Sequence, residues 1–214
     1  MPYRFKRKES VPHAIRRIVT EQATSAAHEL GGGNPDVHDG VHNARKSFKK
    51  IRSLLRLMRS ELGETTYKRE NSWFRRAARR LARARDAEAL LETYDKLSER
   101  FPEMGEGPMA GLHQKLIERR EHIVEEQLDL SAEARELAAK LERMPTRLDA
   151  WRLRKKGFKA LKQGLTKGYR RGRKTFENAF ADPSDERFHE WRKRVKDYWY
   201  HSRLLQRVWP EFMD

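Results

Sequence analysis

The residues of this chain whose type and spacing could do chemistry are cations. In VHNARKSFKKIRSLLRLMR, Val41 to Arg59, the positions His42, Arg45, Lys49, Arg52, Arg56 and Arg59 recur three and four residues apart. On a helix that spacing makes one stripe, with a cation about every 5.4 Å. The segment contains no Asp or Glu, so the stripe repels itself unless an anion from elsewhere neutralises it. Arginine's planar fork can hold two phosphate oxygens at once, and imidazole is a stronger donor when protonated. The chemistry on offer is charge-assisted hydrogen bonding to a polyanion. One residue back, Val41, Ala44, Phe48, Ile51, Leu55 and Met58 form an apolar stripe of the same spacing, the side that would face a core.

The helix occurs again. FHEWRKRVKDYWYHSRLLQ, Phe188 to Gln206, aligns without a gap and repeats His42 as His189, Arg45 as Arg192, Lys46 as Lys193, Lys49 as Lys196, Arg56 as Arg203 and Leu57 as Leu204. Trp199 stands where the counterpart of Arg52 would be. Two more cationic clusters join them. Arg75, Arg76, Arg79, Arg80, Arg83 and Arg85 flank an apolar seam of Phe74, Ala77, Leu81 and Ala84, with Asp86 placed to hold an arginine as a structural ion pair. Arg170, Arg171, Arg173 and Lys174 surround Gly172, which permits close backbone approach. His42 and His189 sit near helix starts, where each either contacts a phosphate or bonds the backbone.

Motifs for catalysis are missing. GYRRGRKT, Gly168 to Thr175, has three residues between its glycines where a phosphate-binding loop has four, and no strand precedes it. There is no His-Glu-x-x-His, and no acidic pair stands out as a magnesium holder. His38 and His42 have metal-ligand spacing, but Gly40 and the surrounding cations argue against a metal. The expectation is a binding protein, not an enzyme, with no cofactor and no metal.

Helices must position these residues, because no stretch alternates apolar and polar residues as a half-buried strand does. Ser10-Val11-Pro12 caps a first helix reaching about Glu29, broken by Gly31-Gly32-Gly33-Asn34-Pro35. The first basic copy stops at Gly63. A third helix runs from Thr65 or Thr66 to about Arg100, a fourth from Pro108 to about Asp129, and Ser131 caps a short fifth. Past Met144-Pro145 a long basic helix reaches about Phe180, weakened at Gly157, Gly164, Gly168 and Gly172. Asp182-Pro183-Ser184 then restarts the chain into the second copy. Short connections make neighbouring helices antiparallel.

Lys and Arg number 48 against 32 Asp and Glu, a net charge of +16 over 214 residues. The imbalance calls for a polyanion: DNA, RNA, polyphosphate or an anionic membrane surface. The acids gather between Glu103 and Glu142, as solvated faces with i,i+4 partners, so the two signs lie on different helices. No cysteine is present, which excludes disulfides and thiolate metal sites and is compatible with a reducing cytosol. The N-terminus lacks the apolar segment of a secretory signal, and no run approaches the roughly 20 apolar residues of a membrane span.

The helices His42-Asn43-Ala44-Arg45-Lys46 and His189-Glu190-Trp191-Arg192-Lys193, with the Arg85-Asp86 element after the first, resemble the CHAD domain family in order and spacing over most of the chain. The resemblance implies an all-α antiparallel bundle of long helices, one domain over 1–214, with pseudo-symmetric repeats at about 10–129 and 131–214 around a basic central channel. It implies non-catalytic binding of inorganic polyphosphate, in the cytoplasm and on polyphosphate granules. The contacts carried over are His42, Arg45, Lys46, Lys49, Arg52 and Arg56, and His189, Arg192, Lys193, Lys196 and Arg203. To these the residue reading adds Arg76, Arg79, Arg80 and Arg83, and Arg170, Arg171, Arg173 and Lys174. The family continues past the second basic helix, whereas this sequence stops at Asp214. The second repeat therefore reads as shortened, either naturally or as a fragment. RNA or DNA is the alternative partner, and an enzyme acting on polyphosphate the lesser one.

Overall fold

In a computed structural model of the chain, the backbone is described for residues 3–105, 111–125, 127–155 and 157–208. Side chains are described for the same residues except 82–89, 104–105, 120–125 and 127–130. Among these residues there are ten α-helices and no strand, so the chain is all-α as its periodicities predict. They are α1 (Val11–His28), α2 (Val37–Leu57), α3 (Arg59–Leu62), α4 (Glu64–Arg80), α5 (Ala82–Arg100), α6 (Leu112–Glu125), α7 (Gln127–Glu142), α8 (Met144–Asp149), α9 (Lys159–Ala181) and α10 (Asp185–Leu205). None is long and apolar enough to cross a membrane.

Several boundaries differ from the sequence expectations, each for a local reason. The first basic helix stops at Leu57, and Met58 leaves helical geometry before the short α3. Gly63, at φ 76°, then ends the segment, as a glycine past a helix end does. The expected third helix is two, α4 and α5, separated at Leu81. The expected long helix after Met144 shrinks to α8, and α9 begins only after Gly157, at φ 56°. Gly164, Gly168 and Gly172 sit inside α9 without breaking it. Ser184 caps α10, its side chain accepting from the Arg187 N–H at 3.3 Å.

The chain divides into two compact units, one of residues 1–23, 48–74 and 143–214, the other of residues 24–47 and 75–142. The first unit is built on the apolar stripe of α2: Phe48, Ile51, Leu55 and Met58 are buried, with Phe74 5.6 Å from Phe48. The N-terminal segment is tied into it. The Tyr3 hydroxyl donates to the Lys50 carbonyl at 2.9 Å, and the Phe5 N–H donates to the Leu204 carbonyl at 2.9 Å. Glu70, wholly buried on α4, pairs with Arg147 of α8 and with Arg69.

Helices α9 and α10 form an antiparallel hairpin joined at Asp182–Ser184. Its distal half packs aromatics against each other, Phe176, Phe180, Phe188 and Trp191 at centroid distances of 4.6–6.3 Å. The seam that is buried on α2 is only partly buried on α10, where Leu205, the counterpart of Met58, is covered. Val195 and Tyr198, counterparts of Phe48 and Ile51, are 48% and 41% exposed. Equal patterning has produced unequal burial.

The second unit packs α5 against α6, α6 against α7, and α7 against the turn Glu29–Gly33. Its core is slighter, made of Leu30, Val41, Ala44, Leu91, Leu137, Ala138 and Leu141.

Candidate anion-binding site

Five helices of the first unit, α2, α3, α4, α9 and α10, line a pocket, and a glycine decides how closely α9 approaches α2. A Cβ on Gly164 would stand 1.9 Å from the Leu57 carbonyl oxygen, so α9 reaches the end of α2 only because that position has no side chain. One turn on, Gly168 lies against the His201 ring of α10. These glycines, four apart, share a face of α9 with Lys167 and Arg171, which are carried to the same wall. Helix α10 contributes Arg194, Asp197 and His201, again on one face. Arg56 of α2, Arg59 of α3 and Tyr67 of α4 complete the charged and polar lining.

The cations of this pocket are not equally committed. Arg56 pairs with Asp197. Arg194 is 3.6 Å from the same carboxylate and 3.2 Å from Glu190. Arg59 bonds Glu64 at 2.7 and 2.9 Å and lies over the Tyr67 ring at 4.6 Å. Among the described residues no carboxylate pairs with Lys167 or Arg171. The pocket therefore keeps positive charge, with Asp197 the only carboxylate among its lining residues.

Two buried nitrogens of its lining residues, Arg56 Nε and His201 Nδ1, have no hydrogen-bond partner among the described residues. The other ring nitrogen of His201 lies 3.0 Å from the Ser53 carbonyl. Burial is the main influence on the ring and lowers its pKa below the usual histidine value, opposed by the Ser53 carbonyl and Asp197. Burial thus favours the neutral His201 ring over the imidazolium. Among the described residues no group of His, Asp and Glu is placed to hold a metal.

Of the sequence candidates in this unit, the pocket gathers Arg56 and Arg171. Lys49 and Arg52 lie further back on α2, and Arg52 Nε donates to Asn71 at 3.1 Å. Arg170, Arg173 and Lys174 are exposed on α9, with Arg173 bonded to Glu177 at 2.8 Å. His189, Arg192, Lys193, Lys196 and Arg203 are exposed on α10 and do not line the pocket. Lys193 pairs with Glu190, and Arg203 lies over the Trp199 ring at 4.9 Å.

In the second unit, His42 and Arg45 are half-buried and Lys46 exposed on α2, while Arg76, Arg79 and Arg80 are exposed on α4. Arg80 is held by Glu133 and Glu136 of α7 at 3.3 and 2.6 Å. With Lys140, it pulls the Glu136 carboxyl down to about 2. The side chains of Arg83, Arg85 and Asp86 lie outside the described residues.

Lys167, Arg194, Asp197 and His201 were not among the sequence candidates. Their signal was present as an i, i+3, i+7 spacing in the second copy and as a pair of glycines four apart, which mark a close helix approach more than a weak helix.

A second concavity, about 480 Å³, runs along the hairpin between Tyr169, Phe176, Trp191 and Tyr198, with Arg173 and Arg194 at its edges. No curated protein and no solved structure matches this chain. The family model of the CHAD domain matches residues 18–214, nearly the whole sequence. This all-helical, cation-rich chain thus belongs to the CHAD domain family, which is associated with binding polyphosphate and triphosphate.

Proposed function

We propose that this chain binds inorganic polyphosphate without transforming it, and that it does so at cytoplasmic polyphosphate granules. The observation that carries the reading is the pocket of the first unit, where among the described residues no carboxylate pairs with Lys167 or Arg171. A phosphate chain offers an acceptor oxygen at every unit and no bases to read, so dense cations on fixed helices suffice. The family association supports the choice of polyphosphate over other polyanions. The one carboxylate in the lining, Asp197, is engaged by arginine, which favours binding over acid–base work.

Retention on immobilised long-chain polyphosphate tests the reading. Lys167→Glu with Arg171→Glu should lower it at least a hundredfold in low salt. Retention equal to that of wild type would sink the assignment, as would release of free phosphate in the presence of divalent metal.

One observation favours a second reading, single-stranded nucleic acid. Tyr169, Phe176 and Tyr198 are exposed beside arginines. Stacking of bases on such rings contributes about 1–3 kcal/mol each. Competition decides between the two, because a single-stranded RNA that displaces polyphosphate at equal phosphate concentration would favour nucleic acid.

A further inference from the structure

Ahead of α1 the chain alternates apolar residues and cations over Tyr3-Arg4-Phe5-Lys6, then adds Arg7 and Lys8. Burial alternates the same way, with Tyr3 and Phe5 only 6% and 3% exposed and Lys6 at the surface. The apolar side is seated in the first unit, since Tyr3 bonds the Lys50 carbonyl of α2 and Phe5 the Leu204 carbonyl of α10. The Tyr3 ring also meets Tyr200 edge-on at 5.9 Å, and Arg17 of α1 donates to the Arg4 carbonyl at 3.1 Å. Tied down in this way, the segment is a fixed part of the unit and not a loose end.

Lys6, Arg7 and Lys8 are all exposed, in a turn closed by the Glu9 N–H, which donates to the Lys6 carbonyl at 3.1 Å. Glu9 is the one carboxylate in this stretch. Arg17 takes it at 2.6 and 2.7 Å, and only 7% of its side chain is exposed. Among the described residues no carboxylate pairs with the side chain of Lys6, Arg7 or Lys8. Three adjacent cations, fixed between buried Phe5 and the Glu9–Arg17 pair, repel one another until an outside anion neutralises them. We propose that this turn is a second contact for the phosphate chain, outside the pocket, gripping units of the polymer that the pocket does not hold. The proposal rests on the polyphosphate reading and adds a binding element to it.

The turn lies near the pocket without being part of it. None of residues 3–9 is in the pocket lining. Tyr3 nonetheless sits close to the pocket's ion pair: burial is the main cause that raises its hydroxyl pKa, and the charges of Arg56 and Asp197 act on it as well. From Tyr3 the chain reaches Lys6 in three residues, at most about 10 Å. A long phosphate chain, charged at every unit, can cross such a gap and engage both sets of cations, and a linked second contact raises affinity without changing the first. A ligand of three phosphates seated in the pocket is too short to do both. Residues 3–9 also precede the stretch that the family model matches, so this contact is written in the chain's own sequence.

Lys6→Ala, Arg7→Ala and Lys8→Ala combined in one protein test this, since all three are exposed and the anchors Tyr3, Phe5 and Glu9 stay. On immobilised long-chain polyphosphate this variant should lose about tenfold to a hundredfold in affinity at 0.1 M salt, and its salt slope should be shallower by about 2, at about 0.7 per phosphate released. Calorimetry with tripolyphosphate should give the wild-type affinity. The comparison removes equal charge elsewhere: Lys96→Ala, Lys115→Ala and Arg119→Ala, exposed on α5 and α6, should change the long-chain slope far less. Equal slopes in the two triple variants overturn the proposal. An equal loss on tripolyphosphate does so too, because the turn would then act through the pocket or the general field. If long-chain polyphosphate does not retain wild type, the polyphosphate reading fails and the turn with it. If it does, and Lys167→Glu with Arg171→Glu weakens retention while the turn variant matches its comparison, only the turn fails.

Discussion

Asp197 sets how strongly the pocket draws an anion, because it is the one carboxylate in a lining of arginines and lysine. It holds Arg56 and lies near Arg194, which fixes both guanidiniums but cancels part of their charge. Removing that charge while keeping the shape should strengthen binding. At an effective dielectric near 20, two charges 4 Å apart interact by about 4 kcal/mol, and solvent screening reduces this several-fold. Asp197→Asn should therefore raise polyphosphate affinity about threefold to tenfold in low salt, measured by retention or calorimetry. A loss of affinity would mean that Asp197 acts chiefly by positioning Arg56. Legibility at this scale is uneven. Arg56 and Arg171 stood out in the sequence as cations in cationic runs. His201 did not, since what distinguishes it is burial against α9, which is not a property of residue type.

Helix α9 shows what sequence patterning can and cannot fix about an element. The periodicities predict an all-helical chain, and helices α2, α9 and α10 are found within the stretches they mark. They misplace the boundaries, as at Met58, Leu81 and the stretch between α8 and α9, where a local turn outweighs a continuing apolar pattern. They also misread the glycines of α9. In isolation a glycine costs a helix about 1 kcal/mol, yet at Gly164 it is the condition for α9 to touch the Leu57 carbonyl. Gly164→Ala should thus destabilise the first unit despite the better helix propensity. A methyl 1.9 Å from a backbone oxygen has to move a helix, and overpacking of this kind costs typically 1–3 kcal/mol and occasionally more. The check is a denaturant melt of Gly164→Ala beside Gly168→Ala, whose added methyl meets only the His201 ring at 3.6 Å. The first should lower the midpoint clearly and the second barely. The repeat teaches a related lesson about α10. The seam of α2 recurs in its sequence, but Val195 and Tyr198 stay exposed, because burial depends on which helices pack there and not on the helix alone.

For the whole molecule, the question is whether a net charge of +16 acts as a diffuse field or through a few contacts. Both draw in a polyanion, but they differ in how binding responds to salt. Affinity falls with the logarithm of salt concentration at a slope of about −0.7 for each phosphate neutralised on a flexible chain. Four or five pocket cations give a slope of about −2.8 to −3.5 on that scale. Removing one contacting arginine should make the slope shallower by about 0.7, whereas removing one charge of sixteen from a diffuse field should change it by only about a sixteenth of its value. Arg171→Ala, measured by retention from 50 to 300 mM salt, is the decisive variant. Arg80→Ala is its comparison, because Glu133 and Glu136 already hold that guanidinium. A shallower slope for Arg171→Ala, with much less change for Arg80→Ala, places binding in the contacts of α2, α9 and α10. Equal small changes in both would assign it to the charge of the chain as a whole, and the pocket would lose its role.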